Sequence, residues 1–378
     1  ISGAKAGQRP PQLTQGIDDE LGKWWPFCHK DCYLGFRLQQ EDRYNYWIMN
    51  SFTRMESYRL PILLFWVFMV FAACQKGADS QQKAASSLAM NTDPYLVVLG
   101  TAQDAGYPQA SCRKACCQAV WQGNAQAEQV SCLGIVDPQS QQLWLLDATP
   151  DFREQWQQLQ EQLSTPPSQP AGVLLTHAHI GHYTGLMHRG REVMGAKEVP
   201  VFALPRLDTF LQTNGPWSQL VALNNIAITT LSPDSVFVLN KRLTATAMSV
   251  PHRDEFSETA GFRIEGPNRS FLFIPDIDKW EQWDRPLAEE LQRVDYAFLD
   301  ATFFADGELP NRDMSKIPHP FVTETMDLLQ SLPSAERAKV HFIHINHTNP
   351  LLDPKSAATR QVEERGFAVA RTGQRMGL

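Results

Sequence analysis

The chain has 378 residues, a formal net charge of -7 and 43% hydrophobic residues. This length suits one large or two ordinary domains. The charge and the apolar content exclude a basic protein that coats nucleic acid and a disordered acidic chain, and we expect no nucleic-acid partner. Of the ten histidines, only His29 precedes residue 177, so the C-terminal part of the chain carries any histidine chemistry.

Residues 1–54 do not indicate a fold of their own. The stretch "WPFCHKDCYLG" offers Cys28 and Cys32 as half of a small zinc site, but no first Cys pair precedes them. Met55 is a natural start, so we interpret residues 1–54 as an upstream segment outside the native protein or as a separate module.

Residues 55–74 have the pattern of a secretory signal. Arg59 supplies a positive charge, Leu60 to Ala73 are almost wholly apolar, and Cys74 follows two alanines. The apolar part is shorter than the ~20 residues of a bilayer-spanning helix and suits a signal-peptide core. It resembles a bacterial lipoprotein signal, which implies export and a membrane anchor through lipid on Cys74. A short core helix or a membrane anchor is the alternative.

Residues 75–93 are rich in Gln, Ala, Ser and Lys and poor in large apolar side chains. Such a segment cannot bury enough surface to fold, so we predict a flexible tether. The folded domain is expected over residues 94–378.

Short apolar runs bounded by Gly, Pro, Asp or Asn recur through this domain and predict strands. The runs are "YLVVLGT", "LGIVD", "LWLLDA", "GVLLTH", "VPVFALP", "IAITTL", "LTATAMSVP", "SFLFIPD", "VDYAFLDAT", "VHFIHI" and "FAVART". Helical patterns lie at 149–163, 321–332 and 354–366, and another helix is expected to begin in "YTGLMHRGREVMG". Many strands with few helices predict two packed sheets covered by helices, an α/β sandwich.

Histidines and aspartates lie at or near the ends of these strands. The residues are His177, His252, Asp276, Asp300 and His344. Strand ends at one rim of a sandwich can converge, and imidazole nitrogens with carboxylate oxygens are good ligands for zinc, iron or manganese. We therefore predict a metal site at this rim.

The stretch "THAHIGH" adds two more histidines to this rim. His177 and His179 are two residues apart and can share one metal, whereas His182 can serve a second metal beside it. The alternative is a set of histidines that only satisfy hydrogen bonds.

Three thiols in "SCRKACC" form a second candidate site. Cys112, Cys116 and Cys117 can hold a structural zinc ion if a fourth ligand comes from elsewhere. A disulfide or simple buried thiols are the alternatives. Cys132 stands alone in a predicted strand and is expected in the core.

Several of these motifs resemble a known family. "HAHIGH" is similar to the HxHxDH signature of the metallo-β-lactamase superfamily, and "GTAQDAGYP" to the glycine-rich loop after its first strand. "VPHRDEFSETAGF", "IPDIDKW", "DATFF" and "NHTNPLL" resemble the coenzyme PQQ synthesis protein B family within that superfamily. The resemblance covers residues 94–378 and implies an αββα sandwich.

The resemblance also implies a ligand set. His177, His179 and His252 would hold a first metal, Asp276 would bridge, and His182 with His344 would hold a second. Gly181 stands where the signature has aspartate, so we expect weaker or absent binding of the second metal and higher occupancy in a Gly181→Asp variant. His347 would complete the cysteine site, in which Lys114 replaces the middle cysteine of the family's run.

These residues favour a metal-dependent hydrolase that acts on a small phosphodiester, ester or amide. One or two zinc ions are expected, with iron or manganese as alternatives, and Asp276 would orient the attacking water. Asp254, Glu255 and His319 are candidates for proton transfer or substrate contact, or are ordinary hydrogen-bonding residues. Loops at 205–225 and 303–320 would shape specificity.

Two other functions remain open from the sequence. Three histidines and a carboxylate also suit non-haem iron, and the resemblance then implies an oxygenase or hydroxylase in PQQ-type cofactor biosynthesis. The third possibility is a non-catalytic, lipid-anchored metal-binding protein, which the missing aspartate at position 181 favours.

Overall fold

The computed structural model describes residues 92–378. The predictions for residues 1–54, for the signal peptide at 55–74 and for the tether up to residue 91 lie outside the described residues. Within 92–378, no helix is both long and apolar enough to span a lipid bilayer.

The described chain forms two seven-stranded sheets. The strands are β1 (Tyr95–Gly100), β2 (Cys132–Asp137), β3 (Gln142–Leu146), β4 (Gly172–Leu174), β5 (Val199–Ala203), β6 (Ile226–Thr230), β7 (Val236–Val238), β8 (Thr244–Val250), β9 (Thr259–Glu265), β10 (Ser270–Ile274), β11 (Tyr296–Asp300), β12 (Val340–Ile343), β13 (Ala368–Val369) and β14 (Arg375–Gly377). The first sheet has the order β14-β1-β2-β3-β4-β5-β6, and the second has the order β13-β12-β11-β10-β9-β8-β7.

The helices lie between these strands in the sequence. They are α1 (Ala115–Trp121), α2 (Phe152–Gln160), α3 (Ile180–Tyr183), α4 (Pro205–Thr213), α5 (Trp217–Ala222), α6 (Leu287–Leu291), α7 (Val322–Leu328), α8 (Ser334–Arg337) and α9 (Ala357–Glu364), with 3-10 turns at Thr184–Arg189, Trp280–Gln282, Met314–Lys316 and Pro350–Leu352.

The central strands of each sheet are buried on both faces. Trp144 of β3 and Phe262 of β9 belong to a core shared by both sheets. On the outer face of the first sheet lies Trp156 of α2, and on that of the second lies Met326 of α7. Strands buried on both faces appear in sequence as continuous apolar runs, which is why most of them were recognisable. The predicted αββα sandwich is confirmed.

Strand direction determines where the loops meet. Strands β3 to β6 are parallel to one another, as are β10 to β13. Strand β1 is antiparallel to β2, which is antiparallel to β3, so β1 and β3 share a direction. The same relationship holds for β8, β9 and β10. The carboxyl ends of the principal strands therefore gather at one edge of each sheet.

Two local predictions were wrong. The helix expected in "YTGLMHRGREVMG" is the short α3 followed by the 3-10 turn Thr184–Arg189. The segment 205–225, predicted as a loop, contains helices α4 and α5. Pro205 is the first residue of α4, a position at which proline costs no hydrogen bond.

Candidate metal centre

The predicted ligands follow strands that end at the same edges. His177 follows β4 and His252 follows β8, while Asp276 follows β10 and His344 directly follows β12. Sheet topology thus assembles residues that are far apart in the sequence.

The first group contains His177, His179, His252 and Asp276. Each offers one ligand atom, and these atoms all lie within 4.8 Å of one another. Oδ2 of Asp276 is 3.3 Å from Nε2 of His177 and 3.1 Å from Nε2 of His252. Nε2 of His177 is 2.8 Å from Nδ1 of His179. The structure therefore brings together the four residues predicted for the first metal.

The second group contains His182, His344 and Asp104. Oδ1 of Asp104 is 3.2 Å from Nε2 of His182 and 3.7 Å from Nε2 of His344. Oδ2 of Asp276 is 3.9 Å from Nε2 of His182. Asp276 thus lies between the two groups, as a bridging carboxylate must.

Three buried polar atoms in this region make no hydrogen bond to any of residues 92–378. They are Oδ1 of Asp104, Nε2 of His182 and Nε2 of His344. Buried polar atoms without partners are costly and rare. Nitrogen and oxygen donors that converge in this way suit zinc, iron or manganese, so the residues fit the expected metal.

Other residues orient the imidazole rings. In four of the histidines, Nδ1 contacts a second residue, which leaves Nε2 to face the centre. The pairs are His177 with Thr176 at 3.0 Å, His182 with Asp147 at 2.8 Å, His252 with Asp278 at 3.1 Å and His344 with Thr302 at 3.0 Å.

The protonation of the site is set by burial and by neighbouring charges. Burial alone would raise the pKa of Asp276, but His252 and His319 hold it well below its usual range. Burial lowers the pKa of His177 well below its usual value. Against burial, Asp276 raises the pKa of His252 to about 9. The carboxylates are therefore ionised and attract cations, and a bound metal would displace protons from the imidazoles.

Two site residues have a left-handed backbone, with φ of 70° at Asp147 and 65° at His344. Residues other than glycine adopt this conformation uncommonly, and asparagine, aspartate and histidine adopt it more readily than most. Backbone of this kind is often kept where it directs a functional side chain.

The three catalytic candidates occupy different places. Asp276 is at the centre. Nδ1 of His319 is 2.8 Å from Oδ2 of Asp300 and 3.1 Å from Oδ1 of Asp276, so His319 adjoins the metal ligands. Asp254 instead pairs with Arg206, with 2.9 Å between Oδ2 and Nη1. Glu255, the other candidate in this segment, lies beside the metal ligands, with 3.3 Å between its Oε2 and Nε2 of His179.

Asp104 is the site residue that the sequence did not reveal. A Cβ atom at Gly181 would lie 2.2 Å from Oδ1 of Asp104. The carboxylate of Asp104 therefore occupies the space of a side chain at position 181, which removes the reason for expecting a weak second site. Asp104 belongs to the quoted loop "GTAQDAGYP", but no spacing connects it to His182.

The cysteine cluster is assembled as well. Sγ of Cys116 and Sγ of Cys117 lie 3.6 Å and 3.4 Å from Nδ1 of His347, and Cys112 completes the group. All three thiols are free, as is the buried Cys132. Burial raises the pKa of Cys117 to about 12, so zinc binding would have to displace a proton. The structure contains no disulfide among residues 92–378.

Comparison with known proteins identifies the family of this chain. The family described as "Beta-lactamase superfamily domain" matches residues 144–345, more than half of the chain. Coenzyme PQQ synthesis protein B of Methylorubrum extorquens (strain PA1) is 25% identical over 306 residues, which cover 75% of this chain and 100% of that protein.

Solved structures show the same fold. Zn²⁺-bound PqqB from Methylobacterium extorquens superposes with a TM-score of 0.63 at 24% identity, covering 75% of this chain and 100% of that one. A diphosphatase from the PhnP family superposes with a TM-score of 0.53 at 20% identity, covering 75% of this chain and 97% of that one. The chain therefore belongs to the metallo-β-lactamase superfamily and is similar to coenzyme PQQ synthesis protein B.

Proposed function

We propose that this protein is a metal-dependent hydrolase of a small phosphodiester, ester or amide. The observation that supports the proposal is the convergence of unpartnered buried donor atoms on the two histidine groups around Asp276. A bound divalent cation supplies the chemistry of such a site by lowering the pKa of a coordinated water and polarising the bond under attack.

The residues of the chain have separate roles in this proposal. Asp276 holds both halves of the centre together and orients the water that attacks. His319 is fixed by Asp300 through Nδ1, so its Nε2 is left to hydrogen-bond a substrate oxygen or the leaving group. Glu255 contacts His179 from the solvent side, so substrate would enter the site beside Glu255.

Apolar side chains beside the entrance can contact the part of the substrate that does not react. Ile180 and Phe256 are next in sequence to His179 and Glu255, and each is 60% exposed. Large apolar side chains at the mouth of a site favour a substrate with an apolar or aromatic portion.

A comparison of matched proteins tests the activity. Wild type and Asp276→Asn are loaded with Zn²⁺, Mn²⁺ or Fe²⁺ and assayed with bis(p-nitrophenyl) phosphate, p-nitrophenyl acetate and p-nitroanilides. We expect turnover by the wild type in at least one metal form and its loss in the variant. Equal rates for both proteins with every substrate would overturn the proposal.

The second candidate is an iron-dependent oxygenase or hydroxylase in PQQ-type cofactor biosynthesis. It is favoured by the name of the relatives, coenzyme PQQ synthesis protein B, and by the three histidines and one carboxylate of the first group. Metal analysis of protein purified without oxygen from its own host separates the candidates. Iron, together with dioxygen uptake in the presence of a tyrosine-containing peptide and a reductant, would favour this function over hydrolysis.

The third candidate is a non-catalytic metal-binding protein. The missing aspartate at position 181 favours it, whereas the carboxylate of Asp104 beside that position supports a complete metal site and hence the hydrolase. Full metal occupancy without turnover of any substrate in the assay above would support this alternative.

We further propose that the protein is exported and anchored to a bacterial membrane by lipid on Cys74, which is outside the described residues. Cells grown with labelled palmitate provide the test. Label in wild type and its loss in Cys74→Ala support the anchor, whereas an unlabelled wild type contradicts it.

A further inference from the structure

The backbone next to Asp104 is fixed to the segment that carries His344. Two backbone hydrogen bonds join the loop after β1 to that segment, from Ile345 N to Thr101 O at 2.8 Å and from Gln103 N to Ile345 O at 2.9 Å. The backbone positions of Asp104 and His344 are therefore coupled. A donor that is fixed before the cation arrives loses less entropy on binding.

Asp104 has the position of a ligand, because its Oδ1 lies 3.2 Å from Nε2 of His182 and 3.7 Å from Nε2 of His344. Oδ1 of Asp104 and Nε2 of both histidines are buried without hydrogen-bond partners among the described residues, although they lie close together. A cation among these three atoms would satisfy all of them.

Gly181 is explained by the same carboxylate. A Cβ at this position would lie 2.2 Å from Oδ1 and 2.6 Å from Cα of Asp104. Atoms of Asp104 and of a side chain at 181 cannot share this space. The glycine lies within α3, where glycine is otherwise less favourable than alanine, so its role here is to leave room.

We propose that Asp104 is the carboxylate ligand of the second cation and that Gly181 makes room for it. The ligand of the superfamily signature has thus moved from the histidine motif to the loop after β1. An aspartate at either position can serve the metal, but aspartates at both positions exclude each other. The inference rests on the proposed function only in requiring a second cation, and it concerns binding alone.

Four proteins test whether the ligand at position 104 replaces one at position 181. They are wild type, Asp104→Ala, Gly181→Asp and the double variant with both substitutions. Zn²⁺ and Co²⁺ stoichiometry is measured by elemental analysis after dialysis, and affinity by competition with a chelator. We expect Asp104→Ala to lose one ion per chain or to bind it at least about tenfold more weakly. Gly181→Asp alone should also lose that ion, and the double variant should regain it.

Controls separate ligand loss from misfolding. Asp104→Asn keeps the shape of the side chain and removes its charge, and it should reproduce the loss of the ion if Asp104→Ala does not fold. Asp306→Asn, in an exposed loop, should keep full occupancy. Circular dichroism confirms the fold of each variant.

Two results would overturn the inference. One is full affinity for every ion in both Asp104→Ala and Asp104→Asn. The other is a folded Gly181→Asp protein with higher occupancy than wild type. Because the readout is ion content and the Co²⁺ absorption spectrum, an inactive protein that shows the expected exchange would disprove the hydrolase proposal and leave this inference intact.

Discussion

Asp147 accepts a hydrogen bond from Nδ1 of His182 at 2.8 Å, and both side chains are completely buried. The same carboxylate accepts from the backbone N–H of Thr176 at 2.8 Å. One aspartate at the end of β3 therefore orients His182 and anchors the segment that leads to His177 and His179. Such partners fix the tautomer of a metal-binding imidazole and raise its basicity.

Asp147→Asn should selectively weaken binding of the second cation. An amide cannot match both contacts of the carboxylate, and loss of such a partner typically costs about 10- to 100-fold in metal affinity. Asp278 contacts Nδ1 of His252, so Asp278→Asn should weaken binding of the first cation instead. Chelator competition with Zn²⁺ measures both affinities.

Asp137→Asn is the matched control for these variants. Asp137 is also buried, but it ends the antiparallel strand β2 and binds Arg242 and Asn240. It should lower the free energy of unfolding and leave metal affinity unchanged. Equal loss of metal in all three variants would mean that the effect is general destabilisation.

His179→Ala should lower metal content sharply while the fold remains intact. The side chain is 13% exposed and contacts mainly other ligands and Glu255, so its removal takes little from the core. Elemental analysis and circular dichroism check the two halves of this prediction. His188→Ala removes a partly buried histidine that packs at a tilt against Phe152, and it should keep full metal content.

Cys117→Ala should chiefly lower stability. Loss of a structural zinc ligand removes binding free energy that contributes to folding, so thermal unfolding should shift to lower temperature by several degrees. Wild type treated with a chelator should show a similar shift. Cys132→Ala also truncates a buried thiol but should release no metal, and unchanged zinc content in Cys117→Ala would contradict the structural site.

The sequence predicted most of the site because sheet topology places strand ends together. His177, His252, Asp276 and His344 all follow apolar runs that are recognisable without the structure. Asp104 was not predicted, because its relation to Gly181 is a contact between the loop after β1 and helix α3 and has no periodicity or fixed spacing. Motif comparison could register only that an aspartate was absent at position 181.

Strand β9 was missed for a different reason. Its sequence, "TAGFRIE", mixes threonine, glycine, arginine and glutamate with few large apolar residues. Gly261 is needed because a Cβ there would lie 2.8 Å from Cγ1 of Ile274 on the neighbouring strand. Close packing of strands thus selected a residue that weakens the strand pattern in the sequence.

Arg189 is a buried cation without an acidic partner among the residues that the structure describes. It is 0% exposed, and neither Nε nor Nη2 has a hydrogen-bond partner there. Nη1 donates to Sδ of Met194 at 3.3 Å, and the guanidinium lies 4.1 Å from the centre of the Phe152 ring. Burial lowers the pKa of Arg189 to about 9, which indicates how strongly this environment disfavours the charge.

Arg189→Met should therefore stabilise the protein. Methionine keeps an unbranched stem against Phe152, and its thioether packs well on aromatic rings. Even a buried ion pair can be replaced by apolar side chains with a gain of up to about 4 kcal/mol in the free energy of unfolding, and Arg189 has no acidic partner to lose among the described residues, so we expect a gain of about 1 kcal/mol or more. Urea unfolding monitored by tryptophan fluorescence measures the difference. Arg191→Met, at a side chain that is 67% exposed, should change stability by less than about 0.5 kcal/mol. A loss of stability in Arg189→Met would show that the attraction between the guanidinium and Phe152 outweighs the cost of burying its charge.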